Sequence, residues 1–272
     1  MRLAVVQPRT HRPPDDEKNL AEAVQIIDEC AARGADLVAL PETYPGPWRL
    51  PAAFDPMPAI TEAAARNGVF VQFGTLEPIE GTPRSAHNVL ALAWPDGRPP
   101  DRYRRTHPLG PWIYTGGDYW DFDYVAADDF PVFETPLGVL GLAMCSEVYV
   151  PEVARRLALN GAELILLPAG SDKKLLWETW RHLIWARAIE NLAIVVTTQN
   201  ILNSGDRGLA MVASPEEVVF ETTAAGTFLV DIDLTRVREL RQGRDQVGSA
   251  SVNRVKAGLL TQWHRPELKG IG

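Results

Sequence analysis

The sequence predicts an α/β domain of alternating layers, on three observations. Strand–helix–strand units recur along the chain, no composition shift marks a linker, and 272 residues can bury a sizeable core. The whole chain, 1–272, is therefore read as one domain.

The first unit opens with RLAVVQ (2–7), a short apolar run of the buried-strand type. A helix follows over 16–33, where Leu20, Ala23, Val24, Ile27 and Cys30 recur at i, i+3/i+4 spacing and Gly34 ends the run. DLVALPE (36–42) is the second strand, broken at Pro41, and two strands joined by a helix are most naturally parallel. A helix over 57–67 then leads to VFVQFGT (69–75). NVLALAW (88–94), the turn signal PDGR and DRYRR (101–105) read as a hairpin.

Residues 108–128 form a loop rich in Gly, Asp and aromatics. Within it DYWDFDY (118–124) suits a loop or an edge strand, with aromatics able to line a pocket mouth. PVFET (131–135) and VLGLAM (139–144) make a second hairpin. A second unit runs through a helix over 151–160 to ELILLP (163–168). A long helix over 174–191, AIVVTTQ (193–199) and strands near 208–213, 217–221 and 227–232 complete the pattern. Residues 240–272 read as an irregular C-terminal arm suited to docking on a partner subunit.

Composition narrows the function. A net charge of −8 and a pI near 5.2 argue against a nucleic-acid or anionic-membrane partner and leave a small-molecule substrate open. Two cysteines are too few for a disulfide scaffold. The N-terminal apolar run stops at Gln7 and Pro8, too short for a signal-peptide core, and no run approaches a membrane span. The expectation is a cytoplasmic protein. The five histidines show no HxH or HExxH spacing, and no GxGxxG or GxxxxGK[ST] occurs, so neither a metal nor a nucleotide cofactor is expected.

Three chemically suited residues lie where ligand sites of parallel sheets lie, at the carboxyl ends of strands. Glu42 ends the second strand, Arg105 ends DRYRR, and Cys145 ends VLGLAM ahead of a helix opening at Pro151. A cysteine beside a helix start can feel oriented backbone N–H groups that favour a thiolate, although a strand-end cysteine is often only a buried hydrophobe. Cys30 lies on the core stripe of its helix and reads as structural. Base, cation and nucleophile on one edge form a catalytic pattern.

These residues sit in stretches that resemble the carbon–nitrogen hydrolase (nitrilase) superfamily, in its amidase-like branch. LVALPET carries the glutamate motif, YRRTHP is similar to the family's Tyr-Arg-Lys-x-His-Pro stretch, and GLAMCSEVYVPEVARRLALNGAELILLPAG is similar to the cysteine motif throughout. WARAIENLAIVVTTQN (185–200) also resembles the family, and the likeness spans about residues 1–235. It implies a four-layer α-β-β-α sandwich (nitrilase-like), commonly a homodimer or higher homo-oligomer. It also implies thiol-dependent hydrolysis of a small amide, an N-carbamoyl compound or a nitrile. Glu42 would be the base, Arg105 the cation at the oxyanion and Cys145 the nucleophile forming a thioester, with no cofactor. Ser146, Glu147 and His107 would support the substrate and the oxyanion. A catalytically impaired homologue with a binding or regulatory role is the alternative.

Two departures stand out. The family's lysine position holds Arg105, which keeps the charge and cannot give up a proton. The family's second glutamate, expected just after that position, has no counterpart in GPWIYTGG (110–117), where Asp118 or Asp121 is the nearest carboxylate. Lys173 and Lys174 are the lysines that a different loop could bring in. Glu147 suits orientation of the cysteine turn better than proton transfer.

Overall fold

The computed structural model describes residues 1–108, 110, 113–170 and 177–242. Two sheets stack back to back. The first is ordered β13-β1-β2-β3-β4-β5, from Gly226–Asp231, Arg2–Gln7, Leu37–Ala39, Phe70–Pro78, Ser85–Ala93 and Asp101–Arg104, with β6 (Asp123–Tyr124) beside β4. The second is ordered β12-β11-β10-β9-β8-β7, from Val218–Thr222, Ala210–Ala213, Ile194–Thr197, Leu164–Leu166, Gly138–Leu142 and Val132–Thr135.

The side-chain period of two divides each strand between layers. Leu3, Val5, Leu37 and Ala39 of the first sheet meet Leu140, Leu142, Leu164 and Leu166 of the second in a shared inner core. The alternate residues Ala4, Val6, Val38 and Val71 turn outward onto α1 (Lys18–Ala32) and α2 (Met57–Asn67). Ile165, Val195 and Met211 turn outward onto α3 (Pro151–Leu159) and α4 (Trp177–Asn191). The result is the α-β-β-α stack that the resemblance implies.

Both expected units have parallel strands: β1 pairs with β2, and β8 with β9, in parallel register. The two expected hairpins are antiparallel, Val89 facing Arg104 in one and Phe133 facing Leu140 in the other. DYWDFDY does contain an edge strand, the two-residue β6. The first helix begins at Lys18 rather than 16, after the turn Arg12–Asp15–Lys18.

At the C-terminus the residues 234–241 differ from the sequence reading, which placed no element there. They form α5 (Leu234–Arg241), capped by Asp233, whose carboxylate accepts from the Thr235 N–H at 2.8 Å. The rest of the 240–272 arm lies outside the described residues, as do Lys173 and Lys174.

Candidate active site

The three candidate residues leave the ends of strands that point the same way. β2 and β3 are parallel, β4 reverses and β5 reverses again, so β2 and β5 share a carboxyl edge. Glu42 and Arg105 follow those two strands, and Cys145 follows β8 of the facing sheet.

Glu42 is held by the chain's path over β3. Thr43 has φ 49°, and the backbone of 42–43 presses against Gly74, where a Cβ would lie 2.1 Å from the Thr43 nitrogen. Only glycine fits there. The Glu42 carbonyl accepts from Asn200 Nδ2 at 2.9 Å, which ties this loop to the segment after β10.

The two oxygens of Glu42 have different surroundings. Oε1 accepts from Arg105 Nη1 at 2.9 Å and from Asn88 Nδ2 at 3.1 Å. Oε2 is aimed toward Gly170, where a Cβ would meet it at 2.8 Å and the Trp120 ring at 2.8 Å. Trp120 stacks on Trp48 at 4.8 Å and donates from Nε1 to Thr43 Oγ1 at 3.3 Å. Trp120, from the aromatics of 118–124, thus walls Glu42.

Arg105 is the hub. Nη1 donates to Glu42 Oε1 and to the Tyr114 hydroxyl, Nη2 to Ser146 Oγ at 2.5 Å, and Nε to the His107 carbonyl at 3.4 Å. Its side chain is 1% exposed and that of Glu42 3%. Burial, the largest influence on it, favours a neutral guanidine, yet the Glu42 carboxylate, foremost among the groups that oppose burial, raises its pKa. It is a permanent cation that reaches the Cys145 turn through Ser146.

Cys145 opens a 3₁₀ turn, Cys145–Tyr149, with φ 51° and its N–H on the Pro168 carbonyl at 2.7 Å. A non-glycine residue in the left-handed region is uncommon and concentrates at functional turns. It is partly exposed, whereas Cys30 is fully buried and burial pushes the Cys30 thiol up to about 12.

Glu147 locks this turn. Oε1 accepts from Tyr103 hydroxyl at 2.6 Å, Thr106 N–H at 2.9 Å, Thr106 hydroxyl at 2.7 Å and His107 N–H at 3.0 Å, while Oε2 accepts from Met144 N–H at 2.7 Å. One carboxylate therefore fastens YRRTHP to the Cys145 turn. Ser146 is drawn in through Arg105. His107 reaches the site only through its backbone: its ring is exposed, hydrogen-bonded to Thr106 Oγ1 at 2.8 Å and 6.4 Å from the Phe130 ring.

Neither nearby aspartate replaces the second glutamate. Asp121 accepts from Arg84 Nη2 and the Gly116 N–H, both at 2.7 Å, and Asp118 is exposed. Among the described residues of 110–117, the group that meets Arg105 is the Tyr114 hydroxyl. Sequence reading missed Tyr114, Asn88 and Asn200; Tyr114 lay in the loop flagged for a missing glutamate, and nothing local marked the two asparagines. Among the described residues no cluster of His, Cys, Asp or Glu could hold a metal ion, and no helix is long and apolar enough to cross a membrane.

The sequence profile of the carbon–nitrogen hydrolase family matches residues 2–256. The chain belongs to the carbon–nitrogen hydrolase family. A deaminated glutathione amidase from Synechocystis sp. is 30% identical over 258 residues, covering 88% of this chain and 94% of its own. Omega-amidase NIT2 from Xenopus tropicalis is 26% identical over 244 residues, 84% of this chain and 88% of its own. A mutant of the amidase from Nesterenkonia sp. AN1, solved with the acetamide moiety of fluoroacetamide added covalently at its active-site cysteine, superposes with a TM-score of 0.73 at 21% identity. That match covers 87% of this chain and 92% of the other, and it shows the shared fold.

Proposed function

We propose that this carbon–nitrogen hydrolase cleaves a small amide through a thioester at Cys145. The observation that carries the reading is the buried Glu42–Arg105 pair, joined through Ser146 to the Cys145 turn. The amidase names of its relatives favour an amide over an N-carbamoyl compound or a nitrile.

In this mechanism Glu42 Oε2 takes the Cys145 proton, since Oε1 is held by Arg105 and Asn88. The thiolate attacks the carbonyl carbon, and the Ser146 backbone N–H supports the oxygen that gains the charge. Glu42 returns the proton to the leaving amine and then activates water against the thioester. Arg105 holds the base oriented and balances charge. Because a guanidinium keeps its protons, both proton transfers fall to Glu42.

The same reading includes a single domain over 1–272, a cytoplasmic location, no cofactor, and a homodimer or higher homo-oligomer onto which the 240–272 arm docks. Light scattering of the full chain against a chain ending at 242 tests the arm. The activity is tested by incubating the protein with amides, N-carbamoyl compounds and nitriles, reading ammonia and the mass of the Cys145 peptide. An acyl adduct at Cys145 with amides supports the reading; silence across all arms favours a binding or regulatory homologue instead.

A further inference from the structure

We propose that the Tyr114 hydroxyl is an oxyanion donor of this site, hydrogen-bonding the substrate carbonyl oxygen as Cys145 attacks; the inference rests on the amide-hydrolase reading above. Arg105 has little left to give. Both Nη1 protons are taken, by Glu42 Oε1 and by Tyr114, one Nη2 proton goes to Ser146, and the Nε proton goes to His107. Four of its five N–H groups are thus engaged with described residues, so beside the Ser146 backbone N–H the developing oxyanion has room for a second donor other than the cation.

Tyr114 supplies one. Its oxygen and the Glu42 carboxylate meet at the same Nη1, so the phenol stands next to the base and is only 3% exposed. Having accepted from Arg105, the hydroxyl still carries its own proton, and among the described residues nothing receives it. A phenol polarised by a guanidinium is a stronger donor than a free one. Burial raises its pKa, against the opposing pull of Arg105, so the proton is present at neutral pH.

The ring is fixed as a donor should be. It packs 4.9 Å from Phe122 and 5.5 Å from Tyr124, and the Tyr124 hydroxyl donates to the Arg105 carbonyl at 2.6 Å. In the step itself the Sγ–C bond forms and the C=O π pair moves onto oxygen. Tyr114 donates a hydrogen bond to that oxygen and keeps its proton. The pair returns as the C–N bond breaks, and the nitrogen takes the proton held by Glu42.

The test compares two reactions of the same thiol in wild type and Tyr114→Phe, which keeps the ring packing. Acylation by acetamide, propionamide and butyramide is followed by rapid quench and mass of the Cys145 peptide. Thiomethylation by methyl methanethiosulfonate, which forms no oxyanion on carbon, is followed alongside. The ratio of acylation to thiomethylation rates is expected to fall about 100-fold in Tyr114→Phe. An unchanged ratio, whether both rates hold or both fall, overturns the assignment while leaving the hydrolase reading intact. A wild-type protein that no amide acylates overturns that reading and this inference with it.

Discussion

Arg105 Nη1 lies 2.9 Å from Glu42 Oε1, with both side chains sealed from solvent. In such a pair, removing one partner leaves a buried charge without compensation, which costs about 3–5 kcal/mol. Arg105→Met is therefore expected to lose that much stability in denaturant titration and to lose turnover. Arg105→Lys keeps the charge and gives up the planar fork. It is expected to retain turnover, and abolished turnover would mean that the pocket requires a guanidinium.

Glu147 is expected to matter without touching substrate. A glutamine there would keep one acceptor oxygen and turn an NH2 toward groups that donate. Glu147→Gln should cost about 3 kcal/mol and slow Cys145 acylation, because Met144, Thr106 and His107 would no longer share one anchor. Equilibrium unfolding and single-turnover kinetics check the two effects.

The two thiols should separate cleanly. Cys30 is buried with its pKa pushed up to about 12, whereas Cys145 is partly exposed beside a permanent cation. Iodoacetamide at pH 7.5, about neutral, should label Cys145 and spare Cys30 in the native protein. Peptide mass spectrometry reads the outcome, and equal labelling would contradict the assignment.

Far from the site, α5 is clamped by Glu163, whose carboxylate accepts from Arg238 Nε at 2.6 Å and Nη2 at 2.9 Å. The bonds from Arg238, opposed by burial, hold the Glu163 carboxyl below its usual range. A depressed carboxyl stabilises the fold above its unfolded pKa, and that contribution is lost as pH falls through the folded value. Glu163→Gln should therefore cost about 1 kcal/mol at neutral pH, and its gap from wild type should close below about pH 4.5. Melting temperatures across that range measure it.

The strands were legible because their apolar runs are bounded by turn residues, and the parallel pairs followed from the helices joining them. The partition into two sheets was not. Strands such as Leu37–Ala39 and Leu164–Leu166 are buried on both faces, so their sequences do not say which neighbour they join; the layer order came from the family resemblance. Helix α5 was missed although Asp233 and the spacing of Leu234, Val237 and Leu240 announce it, because a short, charged helix carries a weak apolar signal. Glu42, Arg105 and Cys145 stood out by residue type at strand ends. Asn88, Tyr114 and Asn200 join them only through long-range packing, which no local pattern encodes.

The central claim, that Cys145 and Glu42 carry out the chemistry, is tested most directly by ammonia release from a panel of small amides. Wild type is compared with Cys145→Ala and Glu42→Gln. Wild type is expected to release ammonia, and each variant, while still folded, to lose at least about 1000-fold of that rate. Turnover that survives in either variant would contradict it.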